Sequence, residues 1–236
     1  MRALILRLEA PLIAFGGVLV DEEGVVSRFP GRSLLTGLFA NALGWDQSEA
    51  ERHQALQARL RFAARIAREG QPLIDFHTVD LGQRPLAQGG WTTRGVPEKR
   101  DGGGAGTGTH LRRRHYRADG TVVVALTLDP PDDSPTLDDL AAALAEPARP
   151  LFLGRKTCLP SVYLLAGQVE AESLCAALAR PLDDEPPGDQ PARWPVDDPA
   201  PAGREVTVCD DRDWRNQIHV GQRTMTEGRI RVEAAS

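Results

Sequence analysis

A chain of 236 residues with 41% hydrophobic and 26% charged side chains has the make-up of a folded globular protein, long enough for one large domain or for a core with an appendage. No apolar run approaches the roughly 18 residues that a membrane helix needs, and the alternating N-terminus lacks a signal-peptide cleavage pattern, so the expected location is cytoplasmic with no membrane partner. The net charge of −5 excludes a uniformly basic nucleic-acid binder, and Cys158, Cys175 and Cys209 stand too far apart for a C-x-x-C pair or a zinc site, which leaves them as small buried hydrophobes.

From the N-terminus, R-A-L-I-L-R-L-E alternates apolar and polar around Leu4, Leu6 and Leu8 and predicts a half-buried strand over 2–9, ended by Pro11. Gly16, Gly17 and Gly24 mark a loop. It leads through R-F-P-G-R-S to a helix with Leu34, Leu35, Leu38, Phe39, Ala42 and Leu43 at helical spacing, Ser33 as its N-cap and Gly44 as its stop. The segment 47–59 reads as a second helix, 60–67 (L-R-F-A-A-R-I-A) as a strand and 73–79 (L-I-D-F-H-T-V) as another. The β-branched run T-V-V-V-A-L-T-L at 121–128 is the strongest strand signal. A turn over 129–135, a helix over Leu137–Ala145 capped by Thr136, and a strand over 161–169 follow.

Strand, helix, strand, a long excursion, strand, helix, strand is the βαββαβ pattern of an α+β, ferredoxin-like (RRM-like) fold with an insertion over 81–119. An excursion of that length is too long for an ordinary connection. The expected organisation is a core over 1–170 and a smaller C-terminal region over 171–236. In the latter, P-L-D-D-E-P-P-G-D-Q-P reads as a solvated acidic linker, and R-E-V-T-V-C and G-R-I-R-V-E regain strand character.

Charge is divided unevenly along the chain. Residues 94–117 hold seven Arg or Lys against two acids, a local +5, whereas 183–213 hold ten acids against three arginines, a local −7. The basic excursion combines Arg112, Arg113 and Arg114 with Trp91, His110, His115 and Tyr116, the pairing of guanidinium and ring that suits single-stranded RNA. Its G-G-G-A-G-T-G run is no phosphate loop, because no G-K-[ST] closes it. Two shorter segments repeat the theme: R-F-P-G-R-S sets Arg28 and Arg32 about a turn at a helix N-terminus, and L-F-L-G-R-K-T-C sets Arg155 and Lys156 after a glycine. Each on its own also fits an ordinary surface turn. His77, His110 and His115 with Tyr116 supply the residue types for acid and base work on RNA, without a compact motif to join them.

In chain order, the segments L-I-L-R-L-E-A-P, R-F-P-G-R-S-L-L-T-G-L-F-A-N-A-L-G, L-R-F-A-A-R-I, D-F-H-T-V and P-L-F-L-G-R-K-T-C resemble the CasD group of the Cas-five family, RAMP-superfamily subunits of type I-E CRISPR Cascade. The resemblance implies a RAMP core with a protruding thumb at 81–119 and an antiviral role in binding the 5′ handle of crRNA. The implied partners are the Cascade backbone subunit and large subunit, with target DNA met indirectly; neither cofactor nor metal is implied. RNA binding is carried over to Arg28, Arg32, Ser33, His77, Arg155 and Lys156, and is added for Arg112, Arg113 and Arg114 from charge. In type I-E systems a separate subunit cuts the precursor RNA, so a non-catalytic role is expected. Relatives in another subtype do cleave RNA, which leaves a metal-independent endoribonuclease as the alternative, with a generic oligomerising scaffold third.

Overall fold

The period-two patterns in the sequence become strands, and the one strand with almost no apolar alternation over half its length turns out to be the longest. In the computed structural model, residues 1–17, 23–80, 90–91, 97–98, 109–182 and 185–234 are described. Their elements are, in order, β1 (Arg2–Ile13), β2 (Glu23–Gly24), α1 (Arg32–Ala42), α2 (Ala50–Arg59), β3 (Leu60–Arg68), β4 (Gln71–Asp80), β5 (Gly90–Trp91), β6 (Pro97–Glu98), β7 (Thr109–Leu128), α3 (Leu137–Ala145), β8 (Leu165–Glu170), α4 (Leu174–Leu178), β9 (Gly188–Pro195), β10 (Arg204–Val208), β11 (Asp211–Asp213), β12 (Ile218–Val220) and β13 (Arg223–Val232). The main sheet runs β10-β13-β9-β3-β7-β1-β8, with β2 and β4 also paired to β7, and β5–β6 and β11–β12 form separate ribbons. Along the path every neighbouring pair is antiparallel; Leu4 faces Leu126 across β1 and β7, and Phe62 faces Leu126 across β3 and β7.

Alternation sorts the side chains onto two cores. Leu4, Leu6 and Leu8 of β1 and Val122, Val124, Leu126 and Leu128 of β7 meet Leu35, Leu38 and Phe39 of α1, Leu56 of α2 and Leu140 and Leu144 of α3. On the opposite face Ala3, Ile5, Val123 and Ala125 meet Leu174, Cys175 and Leu178 of α4, together with Trp194 and Ile230. Each of the larger apolar side chains contributes about 1.5–3 kcal/mol by its burial. Cys158 and Cys175 are buried, all three cysteines are free, and burial pushes both buried thiols up. No helix among the described residues is long and apolar enough to cross a membrane.

Several boundaries differ from expectation, each for a physical reason. Pro11 does not end β1: the strand runs to Ile13, and its pairing with β7 skips Pro11, which has no N–H to give. The expected strand at 121–128 extends back to Thr109, so the last part of the basic excursion is strand rather than loop. It pairs with β4 from Gln71↔Ala118 to Asp80↔Thr109 and projects as a hairpin. Most of its side chains face no core, which is why no apolar alternation announced it. The hairpin leaves the body at Gly70, whose φ is +71° and where a Cβ would stand 2.6 Å from the Ala118 carbonyl oxygen, so that only glycine fits. Apart from the β5–β6 ribbon, the rest of the excursion, with its glycine run and Arg94, Lys99 and Arg100, lies outside the described residues.

Ser33 is not the N-cap of α1; Gly31 is, and Ser33 is buried in the first turn. The helix stops as expected, with Gly44 at φ +76° and the N–H of Trp45 bonded to the Ala40 carbonyl. Thr136 caps α3 in a reciprocal box with Asp139. The expected acidic linker is partly structural. Gly188–Pro195 is β9, paired to β3 and β13, and Glu185 makes an ion pair with the fully buried Arg65. Arg65 also donates to the Leu178 carbonyl at 2.8 Å and to Gln190 at 2.7 Å. Burial pushes the Glu185 carboxyl up, but its bonds from Arg65, Leu182 and Gln190 outweigh that and hold it below the ordinary range.

Candidate nucleic-acid interface

The β4–β7 register decides which of the expected residues share a face. Leu73 stands opposite Tyr116, Asp75 opposite Arg114 and His77 opposite Arg112, and these six make one face. That face continues the helix side of the sheet, since Tyr116 joins the same core as Val122 and Val124. His77 Nε2 lies 2.5 Å from an Asp75 carboxylate oxygen, and Arg112 and Arg114 are exposed. Arg114 makes no hydrogen bond or ion pair among the described residues. The other face carries Ile74, Phe76, Leu111, Arg113 and His115. There Glu23 accepts from Arg113 at 2.9 Å and lies 2.8 Å from His115 Nε2, interactions that hold its carboxyl below the usual range. The run Arg112–Arg114 is thus split: Arg113 points away from its neighbours and meets a carboxylate.

The turn before α1 does not present Arg28 and Arg32 together. Arg28 makes a two-pronged pair with Glu69, at 3.0 and 2.6 Å, and Arg117 reaches the same carboxylate at 2.7 Å. Arg32 lies against Asp211, with Nε 3.4 Å from Oδ1. The helix amides, which sequence offered to a phosphate, are taken by Asp210. Its carboxylate accepts from the Arg32 N–H at 2.9 Å, its carbonyl accepts from the Ser33 N–H at 2.9 Å, and Arg223 neutralises it through two bonds of 2.8 Å. Burial pushes the Asp210 carboxyl up, and Arg223 and Arg32 more than reverse this; Asp211, more poorly paired, is pushed up by burial.

The L-G-R-K turn behaves differently. Gly154 has φ +102°, and a Cβ there would fall 1.8 Å from the Ala14 carbonyl oxygen, so its glycine serves a close approach to the end of β1 rather than to a ligand. Arg155 then reaches the carbonyls of His115 at 2.6 Å and Gly24 at 2.8 Å and lies 4.6 Å above the Tyr116 ring. No carboxylate neutralises it among the described residues. Lys156 is exposed beside it and makes no hydrogen bond or ion pair among those residues.

Arg155 and Ser33 also line a cavity of about 420 Å³ between α1, the end of β1, the L-G-R-K turn and the β11–β12 hairpin. Its far wall comes from residues that the sequence did not single out: Arg212, Trp214 and His219. Arg212 donates to the carbonyl and side chain of Gln217 at 2.8 and 3.0 Å, while its Nε is buried without a partner, as is His219 Nδ1. Burial alone pushes the Arg212 guanidinium down. The signal available was R-D-W-R-N-Q-I-H, residues 212–219, which sets Arg212, Trp214 and His219 within eight residues of a charged tail. Among the described residues no group of three or more His, Cys, Asp or Glu is placed to hold a metal.

Comparison with known proteins agrees over most of the chain. The sequence model of the family described as CRISPR-associated protein (Cas_Cas5) matches residues 3–226. Over 195 residues the chain is 31% identical to the CRISPR system Cascade subunit CasD of Escherichia coli strain K12, covering 78% of each. Its fold superposes on a chain of a CRISPR RNA-guided surveillance complex with a TM-score of 0.70 and 25% identity, covering 98% of this chain and 90% of that one. A crystal structure of a Cas protein matches with a TM-score of 0.63 and 24% identity, covering 98% and 95%, which is a likeness of fold.

Proposed function

The chain belongs to the Cas5 family of CRISPR-associated proteins as a CasD-type subunit, and from that premise we propose that it binds the 5′ handle of crRNA in a type I-E Cascade complex without cutting it. Its partners in this reading are the crRNA, the backbone subunit and the large subunit, with target DNA reached only through them. We read β1-α1-β3-β7-α3-β8, with the spatial order β3-β7-β1-β8, as a ferredoxin-like RAMP core, and the β4–β7 hairpin as its thumb.

The observation that carries the binding role is the single face holding Arg112, Arg114 and, at its root, Arg155 over Tyr116. Arg114 and Arg155 have no carboxylate partner there, so an incoming phosphate replaces water rather than an existing ion pair. Cleavage would require His77, His115 and Tyr116 to converge on one phosphate. His77 and His115 instead lie on opposite faces, each against a carboxylate, and Tyr116 is only 5% exposed beneath Arg155.

The test is the salt dependence of single-stranded repeat-RNA binding by the full chain. Arg112→Ala with Arg114→Ala should flatten the slope of log K against log salt by about 0.7 for each phosphate that the variant no longer neutralises. Arg113→Ala, on the other face, should leave it unchanged. Equal slopes in wild type and the double variant would overturn the assignment of this face, and repeat-specific cleavage by the wild type would favour the endoribonuclease.

A further inference from the structure

The cavity of about 420 Å³ beside α1 opens to the surface, and its lining sets it apart from a plain cleft. Its volume falls within the range of about 300–1,000 Å³ typical of small-ligand clefts. Two arginines line it, and neither is neutralised: Arg155 bonds to two carbonyls, and Arg212 to the carbonyl and side chain of Gln217. Elsewhere the buried or partly buried cations Arg32, Arg65, Arg193 and Arg223 each lie against a carboxylate, whereas Arg59, like Arg155, is held by carbonyls alone. Carbonyls compensate such a cation only in part, and a phosphate is the stronger partner for two guanidiniums that line one space. Arg212 and His219 of the same wall also each hold a buried nitrogen without a partner, Nε and Nδ1.

The apolar part of the lining is as specific. Trp214 is fixed by its indole N–H, which donates to Gln57 at 3.0 Å, and Phe152 lines the cavity as well. A flat aromatic surface beside two arginines suits a group that is planar at one end and anionic at the other. Ser33 and Asn41 of α1 offer polar side chains within the same space. Arg155 connects it to the hairpin, because the same guanidinium lies over Tyr116, on the face that holds Arg114 and Arg112.

Resting on the reading of the chain as an RNA-binding subunit, we propose that this cavity is a subsite for one unstacked nucleotide of the bound RNA, its phosphate held by Arg155 and Arg212 and its base laid against Trp214. The C-terminal β11–β12 hairpin, which neither the sequence motifs nor the basic hairpin brought into the site, thereby sets which position of the strand leaves the stack.

The experiment titrates the full chain with single-stranded repeat RNA and with a series in which one base at a time is removed to leave an abasic site. Wild type is compared with Trp214→Ala and Gly16→Leu. Gly16 lines the cavity, and a Cβ there meets nothing within 4 Å, so the leucine adds bulk without a clash and should melt with the wild type. One abasic position should weaken wild-type binding about tenfold and should have an effect under twofold in both variants, because a filled or unwalled cavity has no base to lose. Abasic profiles identical in wild type and in the folded Gly16→Leu chain would overturn the subsite while leaving RNA binding intact. If the wild type binds none of these RNAs, the RNA-binding reading fails first and the subsite falls with it.

Discussion

Two segments of this chain share the pattern F-x-G-R, and the fold uses them in opposite ways. In R-F-P-G-R-S the arginine and the amides that follow it are closed by Asp211 and Asp210, which arrive from 178 residues or more along the chain. In L-F-L-G-R-K the arginine meets only carbonyls and remains charged beside a cavity. A glycine stands tight against a neighbour in each case, although Gly31 is extended at φ −91° and Gly154 is left-handed at φ +102°. The difference is the counter-charge, and the counter-charge is a property of the tertiary structure. A basic turn is therefore a phosphate site only where the rest of the chain has left it unneutralised.

The largest effect should come from breaking the most completely neutralised cation. Arg65 is 0% exposed, and Glu185 beside it is 7% exposed. Arg65→Ala strands that carboxylate and should cost about 3–5 kcal/mol in urea denaturation. The pair also fixes a sign in pH. The Glu185 carboxyl is held below its ordinary value, so its contribution is complete above the unfolded value of about 4.3 and is lost as pH falls through the lower native one. Acid titration of stability should show this loss in the wild type, and Glu185→Gln should remove it. A cost for Arg65→Ala below about 1 kcal/mol would mean that β9 and the segment before it do not depend on the pair.

A middle-sized effect is expected at α1, where the comparison can be turned round. Asp210→Asn keeps the side chain's shape but removes the charge that Arg223 and the helix amides share. The expected loss is about 2–3 kcal/mol, from charge-assisted bonds of about 1.5–3 kcal/mol each and a capping contribution of about 0.5–2 kcal/mol, which overlap rather than add. The same change leaves Arg32 and Arg223 less neutralised, and repeat RNA should then bind severalfold more tightly. A destabilised variant with unaltered RNA affinity would show that counter-charge alone does not distinguish the two turns.

What was legible in the sequence follows the same division between local and distant causes. The α3 cap was readable because Thr136 and Asp139 act within one turn, and β3 was readable because Leu60, Phe62, Ala64 and Ile66 alternate against a core. The extension of β7 to Thr109 was hidden, because R-R-R-H-Y-R is held by its ladder to β4 and mostly faces solvent, where alternation has nothing to record. Ser33 looked like a cap from its type and position, but Asp210 supplies that function from the far end of the chain, and Ser33 turns to the cavity wall. Of the expected RNA-binding residues, the fold gathers His77, Arg112 and Arg114 on one face with Arg155 at its root, and it turns Arg113 away. Arg212, Trp214 and His219 could not have been joined to them by inspection, since only the return of the β11–β12 hairpin to α1 makes them neighbours.

The smallest effect should be at Arg28, the expected RNA-binding residue that lies in the same turn as Arg32 but on a different partner. Its guanidinium grips Glu69 through bonds of 3.0 and 2.6 Å, yet both side chains are 45% exposed, so water screens the pair. Exposed pairs of this kind contribute about 0–1 kcal/mol. Arg28→Ala should remove less than that, because Arg117 already donates to Glu69 at 2.7 Å and keeps the carboxylate partnered. RNA affinity should stay within about twofold of wild type for the same reason: to reach a phosphate, Arg28 would have to leave a carboxylate that it already meets with two bonds, and the exchange gains little. Thermal melts and RNA titrations on Arg28→Ala and on Arg114→Ala separate the alternatives. A normal melt with a loss of affinity at Arg114 and none at Arg28 is the expected pattern. Equal losses at both would mean that the RNA displaces Glu69, and that a paired arginine on this surface is as available to phosphate as an unpaired one.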